Sequence, residues 1–272
     1  MLALLVSDIA NPFYPELAKS IEREAAAHGY VVVVCGTDDE PAESMHRVRR
    51  LLDHGVDGII HASVAADEEA VLALVDDPRR VVFTNRRPSA ADGSFVAADN
   101  FAGATALTQH LLELGHRRIG FVAGPSYASN SRERLDGFLA AVGREPGATA
   151  LVAAGDFSPE SGARAVDEWL AAGEAPTAVI GVNDVVAVGA LDALLAAGRV
   201  VPRDVSLAGF DDIPLASSRI LGLTTVAQHI DVMGKRAAEV MIQRLGQPEG
   251  SPPVQEVLEP ERIVRATTGA AR

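Results

Sequence analysis

The sequence predicts an α/β protein of two doubly wound, parallel-sheet lobes with a ligand cleft between them. Three observations carry this. Short apolar runs alternate with helical patterns throughout, the cadence of βαβ units with right-handed crossovers and sheets covered on both faces. The cadence restarts near Ile119, and two stretches, Cys35 to Ser44 and Gly155 to Ser161, repeat Gly, Asp, Pro, Glu and Ser in the same order. Five apolar runs lead directly into polar residues: Leu4 to Val6 into Ser7-Asp8, Val31 to Val34 into Gly36-Thr37-Asp38, Val152 into Gly155-Asp156, Val179-Ile180 into Asn183-Asp184, and Val205 to Gly209 into Asp211-Asp212. The carboxyl ends of parallel strands point one way, and ligands bind in the crevice there.

Element by element, the first half reads as strand Leu2 to Val6, then a helix from Pro15 to His28 with Leu17, Ile21 and Ala25 on one face. Gly29 suits a left-handed stop to that helix. Strand Tyr30 to Cys35 follows, then helix Pro41 to Asp53 with proline in its first turn. Next come strand Asp57 to His61, helix Glu68 to Val75, strand Arg80 to Thr84 and a short strand at Phe95 to Ala97. Asp99-Asn100 caps a helix through Leu107, Leu111 and Leu114. The second series is strand Ile119 to Ala123, helix Leu135 to Val142, strand Ala150 to Ala154, helix Ser161 to Ala171, strand Ala178 to Val182, helix Val185 to Ala196 and strand Val205 to Ala208. A last helix runs from Met233 to Leu245. Trp169, in register with Val166 and Leu170, belongs to the core.

Composition narrows the function. The 272 residues are 48 % hydrophobic but only 4 % aromatic, so the cores are built of Ala, Val and Leu. The formal charge of -13 repels phosphate backbones, and the run Arg47, Arg49, Arg50 reads as a solvated helix face. The chain itself is therefore not expected to bind DNA. Cys35, the lone cysteine, reads as a small buried hydrophobe within a valine strand. No signal peptide or membrane-length apolar stretch is legible, so a cytoplasmic location and no membrane partner are expected.

Several chemistries lack their signatures. The first strand is followed by Ser7-Asp8-Ile9-Ala10-Asn11-Pro12, without the glycines that let a dinucleotide approach. There is no phosphate loop and no nucleophile elbow. The seven histidines have no zinc spacing, and His28, His54, His110 and His116 lie near helix ends, where the dipole favours them. No enzyme, metal or cofactor is expected.

Seven motifs in order then carry a resemblance: Asn11-Pro12-Phe13-Tyr14; Val56-Asp57-Gly58-Ile59-Ile60; Leu114-Gly115-His116-Arg117-Arg118-Ile119; Glu133-Arg134-Leu135-Asp136-Gly137-Phe138; Val182-Asn183-Asp184; Pro202-Arg203-Asp204-Val205-Ser206 with Gly209-Phe210-Asp211-Asp212; and Leu223-Thr224-Thr225-Val226. The chain resembles the effector-binding core of the lactose-repressor (LacI/GalR) family of transcriptional regulators. The resemblance implies a type I periplasmic-binding-protein fold, a homodimer, and a small-molecule effector, a sugar or related polar metabolite. It implies ligand-induced hinge closure, with DNA reached only through a helix-turn-helix headpiece that these 272 residues do not include. A sugar-binding protein of an ABC transporter is the alternative. The implied chain path gives an N-terminal lobe of 1–114 plus 227–250 and a C-terminal lobe of 115–226 plus 251–272. One departure is Gly222, where the family often has proline, which loosens the crossing segment.

The resemblance also supplies candidate ligand-binding residues, each with a plainer alternative. Arg134 sits near the start of the expected Leu135 to Val142 helix, where the dipole disfavours a cation; it forks onto the effector, or it is a surface arginine paired with Glu133 or Asp136. Asp211 accepts from the effector or caps its own turn, with Asp212 the better capping candidate. Asn183 offers a donor and an acceptor, or is simply a helix N-cap. Phe157 stacks on the ligand, or staples the next helix. Phe13 follows Pro12 below the first strand end, while Tyr14 packs in the helix. Ser7 binds a hydroxyl or belongs to a turn. Gln228 is placed on the effector side, in the crossing segment.

Overall fold

In the computed structural model, which describes residues 1–65, 68–88 and 93–272, the chain divides into two compact units. The first comprises Met1–Ala98, Tyr127–Asn130 and His229–Leu258. Its sheet contains β1 (Leu2–Val6), β2 (Val32–Gly36), β3 (Gly58–His61), β4 (Val81–Thr84), β5 (Ser94–Ala98) and, from the far end of the chain, β11 (Gln255–Leu258). The order is β11-β5-β4-β3-β1-β2, and every pairing is parallel. All five residues of β1 are buried, as a central parallel strand covered on both faces requires.

Helix α1 (Phe13–Ala27) buries Phe13, Leu17, Ile21 and Ala25, one stripe at four-residue spacing. It packs against α8 (Ile230–Leu245). Burying each Leu or Ile of that stripe stabilises by about 1.5–3 kcal/mol. On the other side, α2 (Pro41–Asp53) and α3 (Glu68–Ala73) cover a core that includes Val48, Val56, Val71 and Phe83. At the sheet edge, β2 and its lead-in leave Val31, Val33 and Val34 exposed at 69, 37 and 41 %. Cys35 is therefore half-buried rather than in the core, because an edge strand has a neighbour on one side only.

The second unit comprises Asp99–Ser126, Ser131–Gln228 and Glu259–Arg272. Its parallel sheet has the order β7-β6-β8-β9, from β6 (Arg118–Val122), β7 (Thr149–Ala153), β8 (Ala178–Gly181) and β9 (Ser206–Ala208). An antiparallel ribbon of β10 (Thr225–Ala227) and β12 (Glu261–Ile263) lies apart from it in the pairing. The helices are α4 (Asn100–Glu113), α5 (Ser129–Gly143, in this unit from Ser131 on), α6 (Pro159–Ala171) and α7 (Asp184–Ala196). Helices α6 and α7 cross backbone to backbone. A Cβ on Gly162 would run into the Val186 carbonyl oxygen, and one on Gly189 into that of Pro159. Trp169 is 7 % exposed and lies over Gly120, a core residue as its register predicts.

Four expectations need correcting. The boundary expected after Leu114 falls after Ala98, because α4 packs on β10 and β12 of the second unit. The stretch expected to rejoin the second lobe at Ser251 first adds β11 to the first sheet, beside β5. Helix α5 starts at Ser129, six residues before Leu135. Gly222 stands at φ +54 and is bonded on both sides, to Ser218 and Ala266. Its path is thus fixed rather than loose, in a backbone region that glycine enters without steric cost.

Candidate functional site

The second unit gathers three of the expected residues into one cluster. Asp211, just beyond β9, has φ +112, and Asp212 follows at φ +55. Non-glycine residues hold such backbone only where their surroundings over-determine it. Here they do: Asp211 N donates to Val226 O at 2.9 Å, and Asp212 pairs with Arg265 at 2.6 Å. Asp212 is therefore an ion-pair partner and not the turn cap expected of it.

The Asp211 carboxylate lies 3.2 Å from Arg134 Nη2 and accepts from Gln228 Nε2 at 2.6 Å. Arg134 is 2 % exposed. Its Nε donates to Asn100 Oδ1 at 2.9 Å, its Nη1 donates to Val182 O at 2.8 Å, and its Cζ stands 3.9 Å above the Phe210 ring. A desolvated cation over an aromatic face gains about 2 kcal/mol. The plain alternative of a surface arginine is excluded by this burial. The dipole argument falls as well, since α5 begins five residues ahead of Arg134.

Burial lifts the Asp211 carboxyl to about 6, and the Arg134 charge with the Gln228 hydrogen bond opposes that rise. Gln228 is completely buried. A carboxylate only accepts, so the amide nitrogen must face Asp211 and the amide oxygen must face elsewhere. That oxygen has no hydrogen-bond partner among the described residues. A buried acceptor left unmatched costs about 1–3 kcal/mol, and a ligand hydroxyl would recover it.

Asn183 is the N-cap of α7, its Oδ1 accepting from Val186 N at 2.8 Å. The capping reading therefore holds for its oxygen. Phe157 is half-buried in the turn that Asp156 makes with Ser158. Its ring lies over Gly124, where a Cβ would stand 2.9 Å from it.

The first unit holds Ser7 and Phe13. Ser7 Oγ donates to Tyr14 Oη at 2.7 Å, so Tyr14 belongs to the polar cluster and not merely to the packing of α1. Phe13 meets Tyr14 edge to face, centroids 5.2 Å apart and planes at 86°. Beyond β4, Arg86 is fully buried; it donates to both Asp39 oxygens, at 2.7 and 3.0 Å, and to Ser63 O at 3.0 Å. His61 ends β3, with Nδ1 accepting from Ser63 N at 3.3 Å and Nε2 2.8 Å from Ser44 Oγ. Burial first, and the Arg86 charge second, hold His61 down at about 3. Each unit thus carries a buried arginine paired with an aspartate: Arg86 with the partly exposed Asp39, and Arg134 with the buried Asp211.

Arg86, Asp39, Asn100 and Phe210 were missed by sequence reasoning. Arg86 had a usable signal: Val81 to Thr84 also runs into Asn85-Arg86, the same strand-to-polar junction noted at five other places. Asn100 and Phe210 had none, because their roles depend on where Arg134 points. His28 and His54 bond to carbonyl oxygens one helical turn back, as helix-end histidines do. His116 instead is buried against Thr177, Ser206 and the Gly269 carbonyl, and ties the C-terminal stretch to the sheet. Among the described residues no group of three or more His, Cys, Asp or Glu could hold a metal ion.

Comparison with known proteins gives consistent matches. Residues 1–263 fit the family of periplasmic binding proteins and sugar binding domain of LacI family. The ribose operon repressor of Escherichia coli (strain K12) is 31 % identical over 252 residues, 91 % of this chain and 76 % of the repressor. A LacI transcriptional regulator from a Rhodococcus species superposes with a TM-score of 0.89 at 31 % identity, covering 100 % of this chain and 99 % of that one. A LacI family transcriptional regulator from Enterococcus faecium with bound ribose gives 0.88 at 29 % identity, over 100 and 99 %.

Proposed function

The chain belongs to the LacI family, as an effector-binding domain, and on that premise we propose that its effector is a small sugar, with a pentose such as ribose the first candidate. The observation that carries the reading is the Arg134–Asp211–Gln228 cluster, in which a buried amide oxygen awaits a donor. A sugar offers hydroxyls that both give and accept, which suits a guanidinium, a carboxylate and an amide together. Aromatic faces at Phe13 and Phe157 suit the C–H face of a sugar ring. The ribose-bound relative and the ribose operon repressor make ribose the sugar to try first.

The domain senses and performs no reaction. Ser7, Phe13 and the Arg86–Asp39 pair are the proposed effector contacts of the first unit, and Arg134, Phe157, Asn183, Asp211 and Gln228 those of the second. The proposed response to the effector is ligand-induced hinge closure. At a hundred times its dissociation constant a ligand favours the state it binds by about 2.7 kcal/mol, enough to shift a balanced equilibrium strongly.

A homodimer would pass that change to a DNA-binding headpiece, and so to the operator. Helices α1 and α2 with the exposed β2 edge are the proposed first-unit interface; α8 lends less, because much of its surface is used against α1. In the second unit Leu195, Leu215 and Ile220 are exposed at 57, 49 and 100 %, apolar surface that a second copy would cover. Among the described residues no helix is long and apolar enough to cross a membrane, and a regulator of this kind would work in the cytoplasm. A melting screen against pentoses, hexoses, disaccharides and purines tests the effector class. A sugar that raises the melting temperature supports it, and a response to purines alone would replace it.

A further inference from the structure

Asp184 belongs to none of the groups above, yet it is completely buried between the elements that carry them. It is the first residue of α7, next to the capping Asn183. Its backbone N donates to Phe210 O at 2.8 Å, its Oδ2 accepts from Ile213 N at 2.9 Å, and its Oδ1 lies 2.6 Å from Thr225 Oγ1. Asp211 is thus bracketed: the residue before it and the residue two after it are both tied to Asp184. Thr225, three residues before Gln228, ties the second segment to the same carboxyl group. Gly209 is required beneath, because a Cβ there would run into Asp184 Oδ1.

We propose that Asp184 is a positioning residue, which places Asp211 and Gln228 for the effector by pinning both of their segments to the start of α7. This deepens the effector-site reading and rests on it. The charged groups that face Asp184 are Asp211 and Asp212, on the segment after β9. Each already has an arginine of its own, Arg134 and Arg265. From β10 it meets only the Thr225 hydroxyl. A third carboxylate without a cation is costly in such a place, and burial with the two neighbouring carboxylates lifts its proton affinity well above the usual range. Its Oδ1 accepts from the Thr225 hydroxyl and its Oδ2 from the Ile213 N–H. An asparagine can keep both segments tied: its amide oxygen takes the Ile213 N–H, and its NH2 donates to the Thr225 oxygen once that hydroxyl turns to accept.

The test reads the placement of Asp211 without needing the effector. A double-mutant cycle of Arg134→Met and Asp211→Asn, followed by urea unfolding of the full chain, gives the coupling of that pair. It is repeated with Asp184→Asn, Asp184→Ala or Thr225→Val in the background. The native background and Asp184→Asn should both show a coupling of about tenfold or more in the unfolding constant, and Asp184→Ala and Thr225→Val less than about twofold. A merely structural Asp184 would lower stability in all backgrounds and leave the coupling intact; that result overturns the proposal. Loss of the coupling in Asp184→Asn, which can keep both hydrogen bonds, would show that these bonds do not do the placing, and it also overturns the proposal. If Asp184→Ala fails to fold, Thr225→Val decides. Titration of the native chain with D-ribose separates the two claims, since absence of binding sinks the pentose reading and leaves the cycle to stand or fall alone.

Discussion

Arg134 is a cation buried inside the second unit. Its position in the sequence suggested a cation misplaced at a helix start, whereas its actual peculiarity is burial among Asn100, the Val182 carbonyl, Phe210 and Asp211. That changes what its removal should do. A binding residue on a preformed surface could be truncated with little effect on the free protein. Breaking a buried ion pair leaves one charge uncompensated, at a cost of about 3–5 kcal/mol. Arg134→Ala is therefore expected to lower the ligand-free melting temperature as well as abolish the response to effector. Arg134→Met combined with Asp211→Asn should recover much of the stability but none of the response, as read by urea unfolding and melting with and without the sugar.

Two buried titratable groups give opposed pH slopes. His61 is held at about 3 against an ordinary 6.5, so the stability it lends is present above 6.5 and is lost as pH falls toward 3. Across that window the loss runs at up to about 1.4 kcal/mol per pH unit, and His61→Gln should flatten it. Asp211 is raised from 3.8 to about 6. Its contribution is present below 3.8 and is lost as pH rises through 6, so Asp211→Asn should remove a slope of the opposite sign. Urea unfolding of both variants from about pH 4 to 6.5, within the His61 window and across the Asp211 one, separates the two effects. If His61→Gln keeps the native acid slope, the buried neutral imidazole is not its source.

At the scale of elements, backbone approach outweighs intrinsic propensity. Alanine is the better helix former than glycine by about 1 kcal/mol, and Gly162 and Gly189 lie within helices. Both nevertheless sit where a methyl group would meet a carbonyl oxygen of the other helix. Overpacking of this kind costs about 1–3 kcal/mol or more. Gly162→Ala and Gly189→Ala should each be net destabilising, by about 1–2 kcal/mol after the propensity gain is subtracted. A stabilised variant, seen as a raised urea midpoint, would contradict the crossing geometry.

Most elements were legible because local signals agreed with packing: apolar runs for β1 and β8, and a proline start for α2 that places it at Pro41–Asp53 as expected. The early start of α5 was not legible, because Ser129 to Glu133 is polar and carries no apolar period. Strands β10, β11 and β12 are three or four residues long and pair with distant segments, so nothing local announces them. The candidate site followed the same rule. Strand ends pointed to Asp211, Asn183 and Ser7, whereas Asn100, Phe210 and Asp184 act through partners that only the fold brings near.

On the scale of the whole molecule, the effector-binding role follows from family membership, while the sugar, the dimer and the closure are proposals that solution experiments decide. The dimer predicts a mass near twice 28.4 kDa by light scattering. Charged substitutions at Val31 and Val33 should shift the chain toward monomer without lowering its melting temperature by more than a few degrees.

The sharpest measurement is a calorimetric titration of the native chain, and of Arg134→Ala and Asp211→Ala, with the sugar that the melting screen selects. The account predicts saturable one-site binding to the native chain, with a melting shift of about 5–10 °C at a hundred times the dissociation constant, and no detectable heat from either folded variant. Native-like binding by both variants would contradict it.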